Sequence, residues 1–131
     1  SMENVDVPLL FVRAEEDNSI STFGDQMIID NHAAAADRSW LYTLGDAGHW
    51  SFTSIAALDG RFLAGCGEGK RMVNQMPFTY PPIEEVTDAT ATAVTLFFAR
   101  HIHPESSWRA AASDQHDERV EGDDHWIAPC P

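Results

Sequence analysis

Basic residues are scarce in this 131-residue chain: eight Lys and Arg stand against twenty-one Asp and Glu, a formal charge of −13 at pH 7. Such a surface repels phosphate backbones and anionic headgroups, so nucleic acid and membrane surfaces are disfavoured as partners. Long apolar runs are missing as well. No stretch approaches the roughly 20 residues needed to cross a bilayer, and the N-terminus has no basic-then-apolar signal pattern. A soluble chain is expected, cytoplasmic or secreted, with the compartment left open. There are two cysteines, Cys66 and Cys130, too few for a disulfide scaffold; their pairing across a long loop stays open. The six histidines fall in no Cys-x-x-Cys, His-Glu-x-x-His or Asp-x-Asp-x-Asp-Gly framework, so no metal or other cofactor is expected.

The length and the 44% hydrophobic content suit one globular domain. Residues 9–12 are continuously apolar after Pro8, which predicts a strand buried on both faces in a parallel sheet. Thr22 with Asp25 three positions later resembles a capping box, and a helix is expected over residues 23–36 with Phe23, Met27, Ile28 and Ala34 as its inward stripe. Residues 39–44 read as a second strand. Strand, helix and strand on short connections make a βαβ unit with parallel strands. A short helix over 53–57 and an irregular glycine-rich loop over 60–80 follow. Pro81 and Pro82 introduce a long helix over 83–102, with Glu84, Glu85 and Asp88 at its positive end. Ile83, Val86, Thr90, Val94 and Phe97 recur on one face of that helix. Residues 104–131 read as a solvated acidic tail.

Acidic residues follow the first strand (Glu15, Glu16, Asp17), and Gly45-Asp46-Ala47-Gly48-His49-Trp50-Ser51-Phe52 follows the second. A carboxylate and an imidazole are thereby placed at the carboxyl ends of neighbouring strands, where open α/β sheets keep their sites. A carboxylate that fixes an imidazole tautomer, and an imidazole that moves a proton, are two members of a Ser-His-Asp triad. Glu15, Glu16 and Asp46 compete with Asp17 for the acid role. Trp40, Trp50 and Phe52 flank the histidine in sequence, and Trp50 and Phe52 are candidate substrate-pocket walls; packing is the other use of such rings.

The run Val7-Pro8-Leu9-Leu10-Phe11-Val12-Arg13-Ala14-Glu15-Glu16-Asp17 and the histidine segment resemble the α/β-hydrolase superfamily, in which the acid strand precedes the histidine. Ala14 stands where that family usually has Gly. Ser51-Phe52-Thr53, Gly65-Cys66-Gly67 and the last helix are similar to the bacterial branch that contains dienelactone hydrolase and platelet-activating-factor acetylhydrolase. The resemblance covers residues 6–103. It implies a C-terminal portion of an α/β-hydrolase fold over 1–103, with Asp17 as triad acid, His49 as triad base and a small carboxylic ester as substrate.

No Gly-x-Ser-x-Gly occurs, and the strands that would carry an oxyanion hole are missing. Cys66 follows the histidine and sits in no nucleophile-elbow pattern, so a structural thiol is the expectation. A βαβ unit plus a helix leaves strand edges uncovered. By the resemblance, the chain is expected to be the C-terminal part of a serine hydrolase whose nucleophile is supplied upstream or by a complementary N-terminal chain. The alternatives are a non-catalytic remnant that self-associates or an acidic metal-binding protein using His116, Asp117, Glu118, Asp123, Asp124 and His125.

Overall fold

The structure, a computed structural model, describes residues 2–35, 38–53, 55, 64–102 and 119–120. Within them lie strands β1 (Leu9–Ala14), β2 (Ser39–Leu44), β3 (Glu68–Lys70), β4 (Pro77–Thr79) and β5 (Arg119–Val120), with helices α1 (Ser21–Ala35) and α2 (Ile83–Ile102). β1 and β2 pair in parallel, in register from Leu9 with Ser39 to Ala14 with Leu44. This is a small α/β arrangement of the expected βαβ kind. β5 adds a short parallel partner to β2 at Thr43 and Leu44, so the sheet order is β1-β2-β5. β5 lies within the segment expected as acidic tail; residues 103–118 and 121–131 are outside the described part, as is most of the expected 53–57 helix.

Side-chain alternation along the strands sorts the layers. Leu10, Val12, Ala14, Tyr42 and Leu44 belong to a cluster with Ala47, Val86, Ala89, Ala93 and Phe52, so this face packs against α2. The opposite face meets α1: the Phe11 ring lies edge-on to His32 at 6.2 Å, and Arg13 grips Asp25. His32 Nδ1 lies 2.7 Å from Ser39 Oγ, whose hydroxyl donates to the His32 carbonyl at 3.0 Å. α2 buries Val86 and Ala93 and forms over the range its periodicity predicts.

Three expectations change. Phe23 is 75% exposed and Met27 is exposed as well, because polar contacts set the rotation of α1: Asp25 turns to Arg13 and His32 to Ser39. The capping box does not form, since both Asp25 oxygens are taken by Arg13. Residues 9–13 of β1 are half-buried rather than buried on both faces; among the described residues β1 pairs with β2 alone. The stretch over 60–80 is also not wholly irregular, as β3 and β4 pair into an antiparallel hairpin.

Candidate functional site

Pairing of the two parallel strands does not stop at their ends. Glu15 N donates to the Leu44 carbonyl at 3.0 Å and Glu16 N to the Ala47 carbonyl at 2.9 Å. The acid turn and the histidine loop therefore leave the sheet side by side. Asp17 curls over the entry to α1, and its Oδ1 accepts the backbone N–H groups of Ser19 at 3.0 Å and Ile20 at 3.2 Å. An aspartate bonding its own chain two and three residues on is a usual helix-entry device.

The other edge of that carboxylate faces His49. The imidazole Nδ1 is 2.9 Å from Asp17 Oδ2 and 3.1 Å from Oδ1. The Asp17 side chain is 10% exposed and that of His49 36%. An ionised carboxylate only accepts, so Nδ1 carries the proton and Nε2 is left as the acceptor in the neutral ring. Such an imidazole can take a proton at Nε2 and hold the resulting charge against Asp17. The Trp50 ring stands edge-on to the imidazole with centroids 4.8 Å apart.

The loop carrying His49 is braced from below. Ser51, fully buried, accepts the Gly48 N–H and donates to the Gly65 carbonyl, both at 2.9 Å. Trp50 N donates to the Ala64 carbonyl at 3.0 Å. Gly65 has φ +138° and its missing Cβ would lie 2.5 Å from Ser51 N, so both conformation and space require glycine there. Tyr80 wedges between Gly48 and Gly69, where a Cβ would come within 2.7 Å and 2.6 Å of its ring. Its hydroxyl accepts from Asn18 Nδ2 at 3.3 Å, and burial pushes the phenol above its ordinary range.

No protein-family model matches the chain, and no curated protein or solved structure matches it. The site therefore rests on its own geometry. Asp17 is the acidic residue placed on the imidazole. Its three competitors go elsewhere: Glu15 Oε2 accepts Asp46 N at 3.4 Å, and Glu16 and Asp46 both bond Arg71. Phe52 is half-buried against the core cluster. Trp40 sits at the far end of β2, edge-on to Phe97 and His101 and away from His49.

Among the described residues neither buried serine is available as a nucleophile, since Ser39 and Ser51 have no exposed surface and both hydroxyls are committed. Cys66 is buried and its sulfur is in a disulfide; Cys130 lies outside the described residues. Among the described residues no three His, Cys, Asp or Glu side chains converge to hold a metal ion, and no helix is long and apolar enough to cross a membrane. His116, Asp117, Glu118, Asp123, Asp124 and His125 lie outside them. Arg71 was not among the sequence-level candidates, although its guanidinium meets both Glu16 and Asp46.

Proposed function

We propose that this chain is the C-terminal portion of an α/β-hydrolase-like serine hydrolase acting on small carboxylic esters. His49 takes the proton of a serine hydroxyl as that oxygen attacks the ester carbonyl, then returns it to the departing alcohol. The same imidazole next takes a proton from water as its oxygen attacks the acyl carbonyl. It gives that proton to the serine oxygen as the C–O bond breaks and the acid leaves. Asp17 holds Nδ1–H toward itself and stabilises the imidazolium through both steps. The serine and the oxyanion hole come from sequence upstream or from a complementary N-terminal chain. Trp50, with the exposed part of Phe52, forms the apolar surface facing the substrate.

The observation that carries this reading is the 2.9 Å bond between His49 Nδ1 and Asp17 Oδ2 at the carboxyl ends of two adjacent parallel strands. Its test has two arms. With p-nitrophenyl acetate the chain alone should give no turnover that depends on His49. Co-expression with the reading frame directly upstream of Met2 should give turnover that is lost in His49→Ala. An upstream frame without Gly-x-Ser-x-Gly, or a co-expressed pair without His49-dependent turnover, sinks the hydrolase reading.

A second reading is favoured by the pairing of β1 on one side among the described residues: a non-catalytic remnant that completes its sheet by self-association. Light scattering separates the two. A monomer with a cooperative melt argues against the remnant.

A further inference from the structure

One guanidinium ties the loop that carries Asp17 to the loop that carries His49. Arg71 follows β3 directly and begins the turn of the hairpin. Its Nη1 donates to Glu16 Oε1 at 3.1 Å and also to Asp46 Oδ1. Glu16 immediately precedes Asp17, and Asp46 lies three residues before His49. We propose that Arg71 is a positioning residue for the Asp17–His49 pair, setting the spacing of acid and base from a third segment of the chain. The proposal rests on reading that pair as the acid and base of a triad.

The need for such a clamp follows from where the backbone bonding ends. Past the Glu16-to-Ala47 bond, neither Asp17 nor His49 is joined to the opposite loop by the main chain. Side chains must fix the remaining distance. Asp46 adopts φ 56°, a conformation that costs a non-glycine residue free energy unless its surroundings impose it; its carboxylate on Arg71 supplies that constraint.

Glu16 is held from the same turn by a second donor, the Met72 N–H at 2.6 Å on Oε2. Its side chain is 6% exposed, and a carboxylate so buried requires a cation. The guanidinium also lies over the Phe78 ring, 4.6 Å from its centroid, which fixes the plane of the fork. Bonds to Asp46 and Glu16 raise the guanidinium above its ordinary value, so the clamp stays charged at every working pH. Arg13, near the end of β1, is spent on Asp25 on the α1 face of the sheet.

The test reads the His49 tautomer in the chain as it stands, by nitrogen-15 NMR of the imidazole at about pH 9, above the ordinary titration range of the ring. Wild type should show the Nδ1–H form in excess by about tenfold or more, as a hydrogen bond to a charged group implies. Asp17→Asn is the control for the pair itself. Oδ1 is occupied by two backbone donors, so the new amide nitrogen falls on the Oδ2 side and donates to Nδ1, reversing the tautomer.

Asp46→Gly removes the histidine-loop arm at a position where glycine accepts the backbone angle freely. Arg71→Met with Glu16→Gln removes the clamp without stranding a buried charge. Both should fold and lose at least threefold of the Nδ1–H excess. Arg71→Lys keeps the charge but loses the fork stacked on Phe78, so it should retain more of the Nδ1–H excess than the Arg71→Met, Glu16→Gln pair while falling below wild type.

An unchanged tautomer ratio in either folded clamp variant overturns the proposal, as does a folded Arg71→Lys that retains no more of the excess than that pair. Failure of all three to fold makes Arg71 a folding element and overturns it equally. A wild type with no Nδ1–H excess instead sinks the acid–base reading. An excess that persists in wild type and reverses in Asp17→Asn, while the clamp variants leave it unmoved, sinks the role of Arg71 alone.

Discussion

Arg13 and Asp25 join β1 to α1 by two parallel bonds, Nε to Oδ1 and Nη2 to Oδ2, both 2.6 Å. Their side chains are 18% and 10% exposed, so the pair is screened far less than a surface bridge. Arg13→Met strands the Asp25 carboxylate beneath the helix. Two charge-assisted bonds are worth roughly 1.5–3 kcal/mol each, and breaking a fully buried pair costs about 3–5 kcal/mol. The residual access of water to Arg13 places the expected loss at the lower end, about 3 kcal/mol. For a domain of this size that lowers the melting temperature by about 10 °C or more.

The companion variant, Arg13→Met with Asp25→Leu, removes both charges and should return to within about 1 kcal/mol of wild type, since an apolar pair can replace a buried ionic one. Urea unfolding followed by tryptophan fluorescence measures all four corners of the cycle. A single variant that loses less than about 1 kcal/mol, or a double variant that loses as much as the single, refutes the reasoning that this pair fixes α1 on the sheet.

Other outcomes follow from the same contacts. Burial raises the Tyr80 phenol, so the folded chain keeps that proton longer than the unfolded one. The stabilisation is complete below the ordinary value of 10.0 and disappears as pH climbs through the raised value. Thermal melts should therefore weaken above about pH 10, and less so in Tyr80→Phe; superimposable profiles would count against it. Gly65→Ala forces a Cβ into the backbone of Ser51 at a left-handed φ and should cost about 2 kcal/mol or more, read as a lower urea midpoint. Phe23→Ser should change stability by less than about 0.5 kcal/mol, because that ring lies in solvent; a loss of several times that would mean α1 turns its other face to the sheet.

The parts of the fold legible in the sequence are those with strong local signals. The apolar run before an acidic turn, the second strand ahead of Gly48 and His49, and the proline-led helix over 83–102 each form where their patterns place them. The Asp17–His49 contact was legible for the same reason, since strand ends of equal register deliver both groups to one place.

The rotation of α1 was not legible. Its apolar residues are spread around the helix, and the decision falls to Asp25 and His32, whose partners Arg13 and Ser39 sit 12 and 7 positions away on the two strands. The hairpin was hidden by glycines at Gly65, Gly67 and Gly69, which read as a loop; Gly69 is required by the Tyr80 ring rather than by a turn. Nothing local marks Arg71, whose role exists through two carboxylates 55 and 25 positions away.

The in-phase ladder of β1 and β2 has a consequence for how this chain can change length. Ala14 sits level with Leu44, so the lengths of two short connectors, 15–17 and 45–49, decide whether carboxylate and ring meet. Adding or deleting one residue in either would carry its group past the other while leaving the sheet untouched. The hairpin tip around Val73, Asn74 and Gln75 is exposed, but Gln75 donates to the Arg71 and Met72 carbonyls, so an insertion there would spare both connectors and disturb the clamp instead.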